Sequence, residues 1–264
     1  MTVAPDLPPF AALAAILLPG ALPWLWPVLA APFIGSFIAL LAIRLPEGEP
    51  VLWGRSRCRS CGQALGALDL VPVASWLMAR GRCRHCAAPV SAFYPAVELS
   101  ALAVALWAML ALPIEQLWAS CLLGWGLLAL AIIDARHFWL PDRITLPLVA
   151  LGLIVAAILD RTGLADHVIG AAAGFACFAA IAFIYRRLRG REGLGRGDAK
   201  LMAVAGAWVS WEGLASVVLI AAVASLAWLL LARRREPLRS DSTLPFGPGL
   251  CLGIWLVWLY GTLS

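Results

Sequence analysis

From its amino terminus the chain alternates long uncharged stretches with short basic ones. Uncharged runs occupy Leu7–Ile43, Leu99–Ile114, Gln116–Ile133, Ile144–Leu159, Val168–Tyr185, Leu201–Trp211, Gly213–Ala232 and Ser242–Ser264. A membrane-spanning helix needs about 20 predominantly apolar residues, and most of these runs reach or approach that length. The first run is long for one span and tight for two, and it carries Pro8, Pro9, Pro19, Pro23, Pro27 and Pro32. Its first part is expected at the membrane interface and Leu25–Arg44 across the membrane. Leu201–Trp211 is short, so it either runs on past Glu212 or leans on neighbouring helices. The pattern predicts an all-α polytopic membrane protein of about eight transmembrane helices, with one small loop domain between the first two.

Composition supports this class. Of the residues, 62% are hydrophobic and 13% charged, and the mean hydropathy is +0.89. A soluble domain, a disordered chain and a disulfide-rich secreted scaffold are all excluded by those values. The opening "MTVAPDLPP" has no Lys or Arg, so no cleavable signal peptide is expected there. The basic residues set the orientation. With eight spans, one set of alternate loops comprises 44–91, 134–143, 186–200 and 233–241, and every Lys and Arg except Arg161 lies in it. The positive-inside rule places that set in the cytoplasm and both termini outside. The pI of about 9.0 reflects this asymmetry. The Arg clusters are read as topology and lipid-headgroup signals, and no nucleic-acid partner is inferred.

The one polar segment long enough to fold by itself, Leu45–Pro89, contains "CRSCG" and "CRHC". Cys58, Cys61, Cys83 and Cys86 form two C-x2-C pairs. Each pair can grip one ion from a tight turn, and two pairs complete a tetrahedron. The spacer is slightly longer than the usual zinc range, but a cytoplasmic loop disfavours disulfides. Zinc is the expected metal, and four thiolates leave no open coordination position, so its role is structural. Metal binding then supplies folding free energy to a loop with few apolar residues. His85 would add a fifth donor and is left out. Cys121, Cys177 and Cys251 sit in apolar runs as packing residues. Between the pairs, Asp69 and Pro72 suggest a turn, followed by a short amphipathic segment able to rest on the membrane surface.

Four acidic residues fall at the cytoplasmic ends of spans: Glu98, Asp134, Asp142 and Asp198. Asp134 directly follows Ile133, and Asp198 opens "DAKLMAVAGAWV". The topology puts both at one depth, which permits a carboxylate pair that shares a proton. One carboxylate would activate water as a base, and the other, protonated, would polarise a carbonyl. Gly195 and Gly197 would let a backbone approach closely. The alternative is capping: Asp198, and Asp142 after Pro141, both suit a helix N-cap. "GLGRG" lacks the ending and the preceding strand of a phosphate loop.

At these residues the sequence resembles the type IV prepilin leader peptidase/N-methyltransferases, membrane aspartyl proteases with a G-x-G-D motif. The resemblance runs from about Gly35 to Gly253. "GSFIALLAIRLP" resembles the opening motif, with Ala39 where the family usually has Asn. "SRCRSCGQALGALDLVPVASWLMARGRCRHC" resembles the zinc loop, and "YPAVEL" the entry to the next span. "DARHFWLPDRITLPL" and "GLGRGDAKLMAVAGAW" resemble the two aspartate motifs, and "PFGPGLCLG" the closing segment. The resemblance implies an eight-span bacterial inner-membrane enzyme. It would cut the basic leader from prepilins or pseudopilins at the cytoplasmic boundary. It would then methylate the new amino terminus with S-adenosylmethionine. Asp134 and Asp198 would be the catalytic pair, and Cys58, Cys61, Cys83 and Cys86 the zinc ligands, both sites on the cytoplasmic side.

The corresponding division is an amino-terminal region, 1–112, with the first two spans and the zinc loop (45–90), as the methyltransferase half, and a six-span peptidase region, 113–264. The close variant is a leader peptidase without methylation. A zinc-regulated transporter would want its acidic residues at mid-membrane, and a zinc-bearing scaffold would require nothing of either aspartate.

Overall fold

The computed structural model describes residues 22–51, 53, 55–190, 195–233 and 245–263. The expected interfacial segment before Leu22 lies outside the described residues, as do the basic residues 191, 234, 235 and 239. The described chain is helical, with α1 (Leu22–Arg44), α2 (Ala74–Met78), α3 (Phe93–Ala111) and α4 (Ile114–His137). These are followed by α5 (Asp142–Leu159), α6 (Leu164–Arg189), α7 (Arg196–Arg233) and α8 (Gly247–Tyr260). Six of these, α1 and α3 to α7, are long and apolar enough to cross a membrane, and α8 is a shorter apolar helix. In this all-helical, multi-pass membrane protein, exposed side chains such as Leu110, Ile181, Phe183 and Leu226 have the character of lipid-facing residues.

The eight expected segments and the six full-length helices are reconciled within α7. Its backbone leaves helical geometry at Val209 (φ −116°, ψ 17°) and Ser210 (φ 57°, ψ −177°). Gly174 of α6 lies against both Met202 and Leu214, and Gly170 against both Gly206 and Trp211. The two arms, 196–208 and 211–233, therefore double back along the same helix. The short sixth run does not continue past Glu212 as one helix. It leans on its neighbours: Leu201, Met202, Val204, Ala205, Ala207 and Trp208 are all buried.

Small residues allow this packing. Gly170 and Gly174 form a G-x-x-x-G pair on α6, and Gly249 and Gly253 form another on α8. Without a hydrophobic drive between helices in lipid, such pairs stabilise packing by close backbone approach. A Cβ on Gly174 would stand 2.6 Å from the Met202 carbonyl oxygen, and one on Gly253 2.5 Å from that of Val217. A Cβ on Gly206 would collide with the backbone of Gly170 and Ala171. Trp208 completes the enclosure, donating from Nε1 to the Leu148 carbonyl at 2.8 Å and meeting Trp258 edge to face.

Helix ends follow local chemistry. Leu112, before Pro113, is extended (φ −129°, ψ 154°) and ends α3. Gly190 takes the left-handed conformation (φ 66°) that closes α6 after Arg186, Arg187 and Arg189. Of the described residues, those up to Leu40 and from 53 to Cys121 form one compact unit, and Leu41–Val51 with the residues from Leu122 onward form a second.

The α6–α7 contact makes a direct prediction. Gly206→Ala should destabilise the protein by roughly 1–3 kcal/mol or more through backbone overpacking, whereas lipid-facing Leu226→Ala should cost far less. Thermal unfolding of both variants in the same detergent would check the contrast.

Candidate active site and metal centre

In the second unit, α4 carries Asp134 one turn before its end. Phe138, with φ 52°, stops the helix there and donates its N–H to the Asp134 carbonyl at 2.9 Å. The Asp134 side chain is 7% exposed, and its Oδ2 accepts the Gly247 N–H at 3.1 Å. Gly247 is the first residue of α8, so the carboxyl engages a helix N-terminus, where backbone donors lack intrahelical partners. No other residue fits: a Cβ on Gly247 would overlap the Asp134 carboxyl.

Asp198 lies in the first turn of α7 and is also 7% exposed. Its Oδ2 accepts the Gly195 N–H at 3.1 Å while its own N–H bonds the Gly195 carbonyl. This is one half of a capping box, with the side chain reaching back to the preceding turn. Asp198 thus meets the capping expectation in part, although it is not the N-cap residue. The Asp134 carboxyl lies close enough to act electrostatically on Asp198, and both act on Cys251, one turn into α8 and 4% exposed. The second oxygen of each carboxyl has no hydrogen-bond partner among the described residues.

The neighbouring residues take other roles. Pro141, not Asp142, holds the N-cap position of α5. Asp142 instead pairs with Lys200, tying the start of α5 to the first arm of α7. The clearance at Gly197 is filled by Leu140, whose Cδ1 would lie 2.7 Å from an added Cβ. That glycine makes room for the Leu140 side chain in the link between α4 and α5, while Gly195 supplies a donor. Cys251, expected as a packing residue, is buried beside the carboxyls, and Gly247 is marked in the sequence only by its place in "PFGPGLCLG".

In the first unit, the Sγ atoms of Cys58, Cys61, Cys83 and Cys86 all lie within 4.8 Å of one another and can hold a metal ion. His85 is not among them. Two matching turns build the cluster. Cys58 N–H bonds the Gln63 carbonyl and Gly62 N–H the Cys58 carbonyl; Cys83 N–H bonds the Ala88 carbonyl and Ala87 N–H the Cys83 carbonyl. Short bridges flank both, Arg57 with Ala64 and Arg82 with Pro89. Gly62 (φ 72°) and Ala87 (φ 55°) occupy the same left-handed position. The repeat is legible in the sequence as R-C-R-x-C-[GA], at Arg57 and again at Arg82. Between the turns, a 3-10 turn (Ala67–Leu70) leads to α2, as Asp69 and Pro72 suggested. Asp69 pairs with Arg84, and Trp76 Nε1 donates to the Val90 carbonyl at 3.0 Å, fastening α2 to the second cysteine turn.

The sulfurs suit a cation. Backbone N–H groups of Cys61 and Ser60 draw the Cys58 thiol down to about 6, favouring thiolate. The Ala88 N–H acts the same way on Cys86, yet desolvation and the three neighbouring sulfurs outweigh it and push that thiol up to about 11. Four crowded sulfurs cannot all ionise alone, and a divalent metal supplies the missing charge.

Fold and site together define a polytopic helical membrane protein with a buried carboxyl pair and a four-cysteine knuckle. The Bacterial Peptidase A24 N-terminal domain model matches residues 29–112, and the Type IV leader peptidase family model matches residues 121–230. A prepilin leader peptidase/N-methyltransferase of Burkholderia pseudomallei (strain K96243) is 44% identical over 209 residues, 79% of this chain and 68% of the relative. The like-named protein of Aeromonas hydrophila is 40% identical over 211 residues, 78% of this chain and 72% of the relative. That of Stutzerimonas stutzeri is 35% identical over 207 residues, again 78% and 72%. No solved structure matches. The chain belongs to the type IV leader peptidase family.

The cysteine geometry predicts one metal ion per chain. Cys83→Ser, at the buried ligand, should reduce bound metal to a small fraction of the wild-type content, and elemental analysis of the purified proteins would measure both content and metal identity.

Proposed function

We propose that the chain is a membrane aspartyl endopeptidase that removes the leader from prepilin or pseudopilin substrates and then N-methylates the new amino terminus. The single observation carrying the peptidase reading is the pairing of Asp134 with Asp198. Two buried carboxyls from separate helices lie close enough to act electrostatically on one another, each steadied by one glycine N–H, and the second oxygen of each has no hydrogen-bond partner among the described residues. That arrangement suits one ionised and one protonated carboxyl. The ionised member takes a proton from water, and the resulting hydroxide attacks the scissile carbonyl carbon. The protonated member donates to the carbonyl oxygen as charge develops. When the tetrahedral adduct collapses, the C–N bond breaks and the first carboxyl passes the proton it took from water to the leaving nitrogen.

The metal we assign is zinc. Four Zn–S bonds of about 2.3 Å place sulfurs about 3.8 Å apart in a tetrahedron, and Cys58 and Cys86 Sγ are 3.9 Å apart. With all four positions filled, its work is to fold the loop. Region 1–112 is assigned to methyl transfer, with S-adenosylmethionine supplying the methyl group, and region 113–264 to cleavage. The excess of Arg and Lys in one set of loops supports placing the cysteine loop and both aspartates on the cytoplasmic side of the inner membrane.

In membranes containing a prepilin substrate, Asp134→Asn and Asp198→Asn should each lower the cleavage rate about 10^3-fold or more. Asp142→Ala should retain cleavage, because it removes a largely exposed ion pair worth about 1 kcal/mol or less. Full activity of either asparagine variant would remove the pair from the mechanism. Gly247→Ala should also impair cleavage, by displacing the Asp134 carboxyl. Mass analysis of the mature amino terminus, with methyl donor supplied, should show a gain of one methyl group. An unmodified product would leave a peptidase alone.

A further inference from the structure

Three acidic side chains are buried among the described residues: Asp134, Asp198 and Glu98. The first two have each other. Glu98, in the second turn of α3, is 5% exposed, and its Oε2 accepts the Val73 N–H at 2.7 Å. It has no ion-pair partner and no further hydrogen bond among the described residues. One backbone donor is a small return for taking a carboxylate out of water. Glutamine would accept the same hydrogen bond without the charge. Buried charges are ordinarily paired, and an unpaired one near a membrane points to a functional counter-charge.

The donor to Glu98 is itself unusual. Val73 has φ 58° and ψ −53°, and the Ala74 N–H closes back on the Pro72 carbonyl. This is the rare form of the γ-turn, strained for any L-residue and more so for a β-branched one. Such strain persists where the surroundings enforce it, and it concentrates at functional sites. Here the strained turn aims one N–H at the buried carboxylate. Opposite, α1 passes Glu98 with a glycine: a Cβ on Gly35 would stand 2.6 Å from the Glu98 Cα. The helix closes on the site without bringing a side chain of its own at that point.

We propose that Glu98 is a binding site for a cationic amine, namely the free amino terminus of the cleaved substrate. The Val73 N–H fixes one carboxylate oxygen and leaves the other to receive an ammonium N–H in a charge-assisted hydrogen bond. This assignment rests on the methyl-transfer reading above, for which the amino terminus must be captured after cleavage.

The test uses the full chain in lipid nanodiscs and a synthetic peptide of the mature substrate's amino-terminal segment, either free or N-acetylated. Acetylation removes the terminal charge and leaves any lysine side chains intact. Wild type should bind the free peptide about 10-fold or more tightly than the acetylated one. Glu98→Gln, which keeps the acceptor for Val73, should bind both equally while retaining cleavage and bound metal. A merely structural Glu98 would leave the preference intact in Glu98→Gln, and that result overturns the proposal. So does equal binding of the two peptides by wild type, which needs no variant. The two readings separate cleanly. Methylation with a preference unaffected by Glu98→Gln sinks the site alone. A Glu98-dependent preference without any methylated product sinks the methyl-transfer reading and leaves the amine site standing.

Discussion

Two carboxyl groups placed together out of water are costly, and the second unit is organised around making that arrangement hold. Among the described residues, neither Asp134 nor Asp198 has an ion-pair partner. Each is met instead by the N–H of a glycine at the start of a helix, Gly247 for one and Gly195 for the other. A backbone donor supplies a fixed partial charge without a competing cation, so the carboxyls are steadied and still act on one another. The remaining packing follows from that requirement. Gly247 must lack a side chain, α8 must begin at Asp134, and the first arm of α7 must be enclosed so that Asp198 faces α4. The G-x-x-x-G pairs on α6 and α8 allow the backbones to come that close.

The four-cysteine loop solves a different problem by similar means. It has little apolar material to bury, and its order comes from two copies of one turn, tied together by Asp69 with Arg84 and by Trp76 with Val90. The copies differ at the left-handed position, glycine in the first and alanine in the second. The second turn therefore carries a conformational cost that ligation of Cys83 and Cys86 can offset. Position also separates the enzymatic reading from transport: Asp134 lies one turn from the end of α4 and Asp198 in the first turn of α7, whereas coupled ion transport favours acidic groups at mid-membrane.

Much of this was legible in the sequence because charge is scarce in it. The ends of apolar runs located the helices within a few residues, and the paired cysteines announced their own cluster. Asp134 and Asp198 stood out as charges abutting hydrocarbon. The charge at Glu212 parted the sixth and seventh runs, but pattern could not say at which residues the chain turns back within α7. The break falls at Val209 and Ser210, neither proline nor glycine, where the helix packs against α6. Gly247 was hidden for a related reason: its importance lies in a contact with a residue far away in the chain. The G-x-x-x-G pairs and the repeated cysteine turn are, by contrast, written plainly in the sequence. At Gly197 the close approach expected of a backbone is made by the Leu140 side chain, because glycine spacing alone cannot say which neighbour fills the room it leaves.

The doubled-back α7 has a bearing on the lipid itself. At 1.5 Å per residue, the arm 196–208 rises roughly 20 Å, short of a hydrocarbon layer about 30 Å thick. With Asp198 at one end of that arm, the turn at Val209–Ser210 cannot also reach the far interface of an undistorted bilayer. Either the turn lies within the hydrocarbon, shielded by α5, α6 and α8, or the lipid thins to meet it. In both cases the depth of the aspartate pair is referenced to bilayer thickness as well as to protein contacts. The acyl-chain length of the host membrane thereby becomes a physical variable of the site.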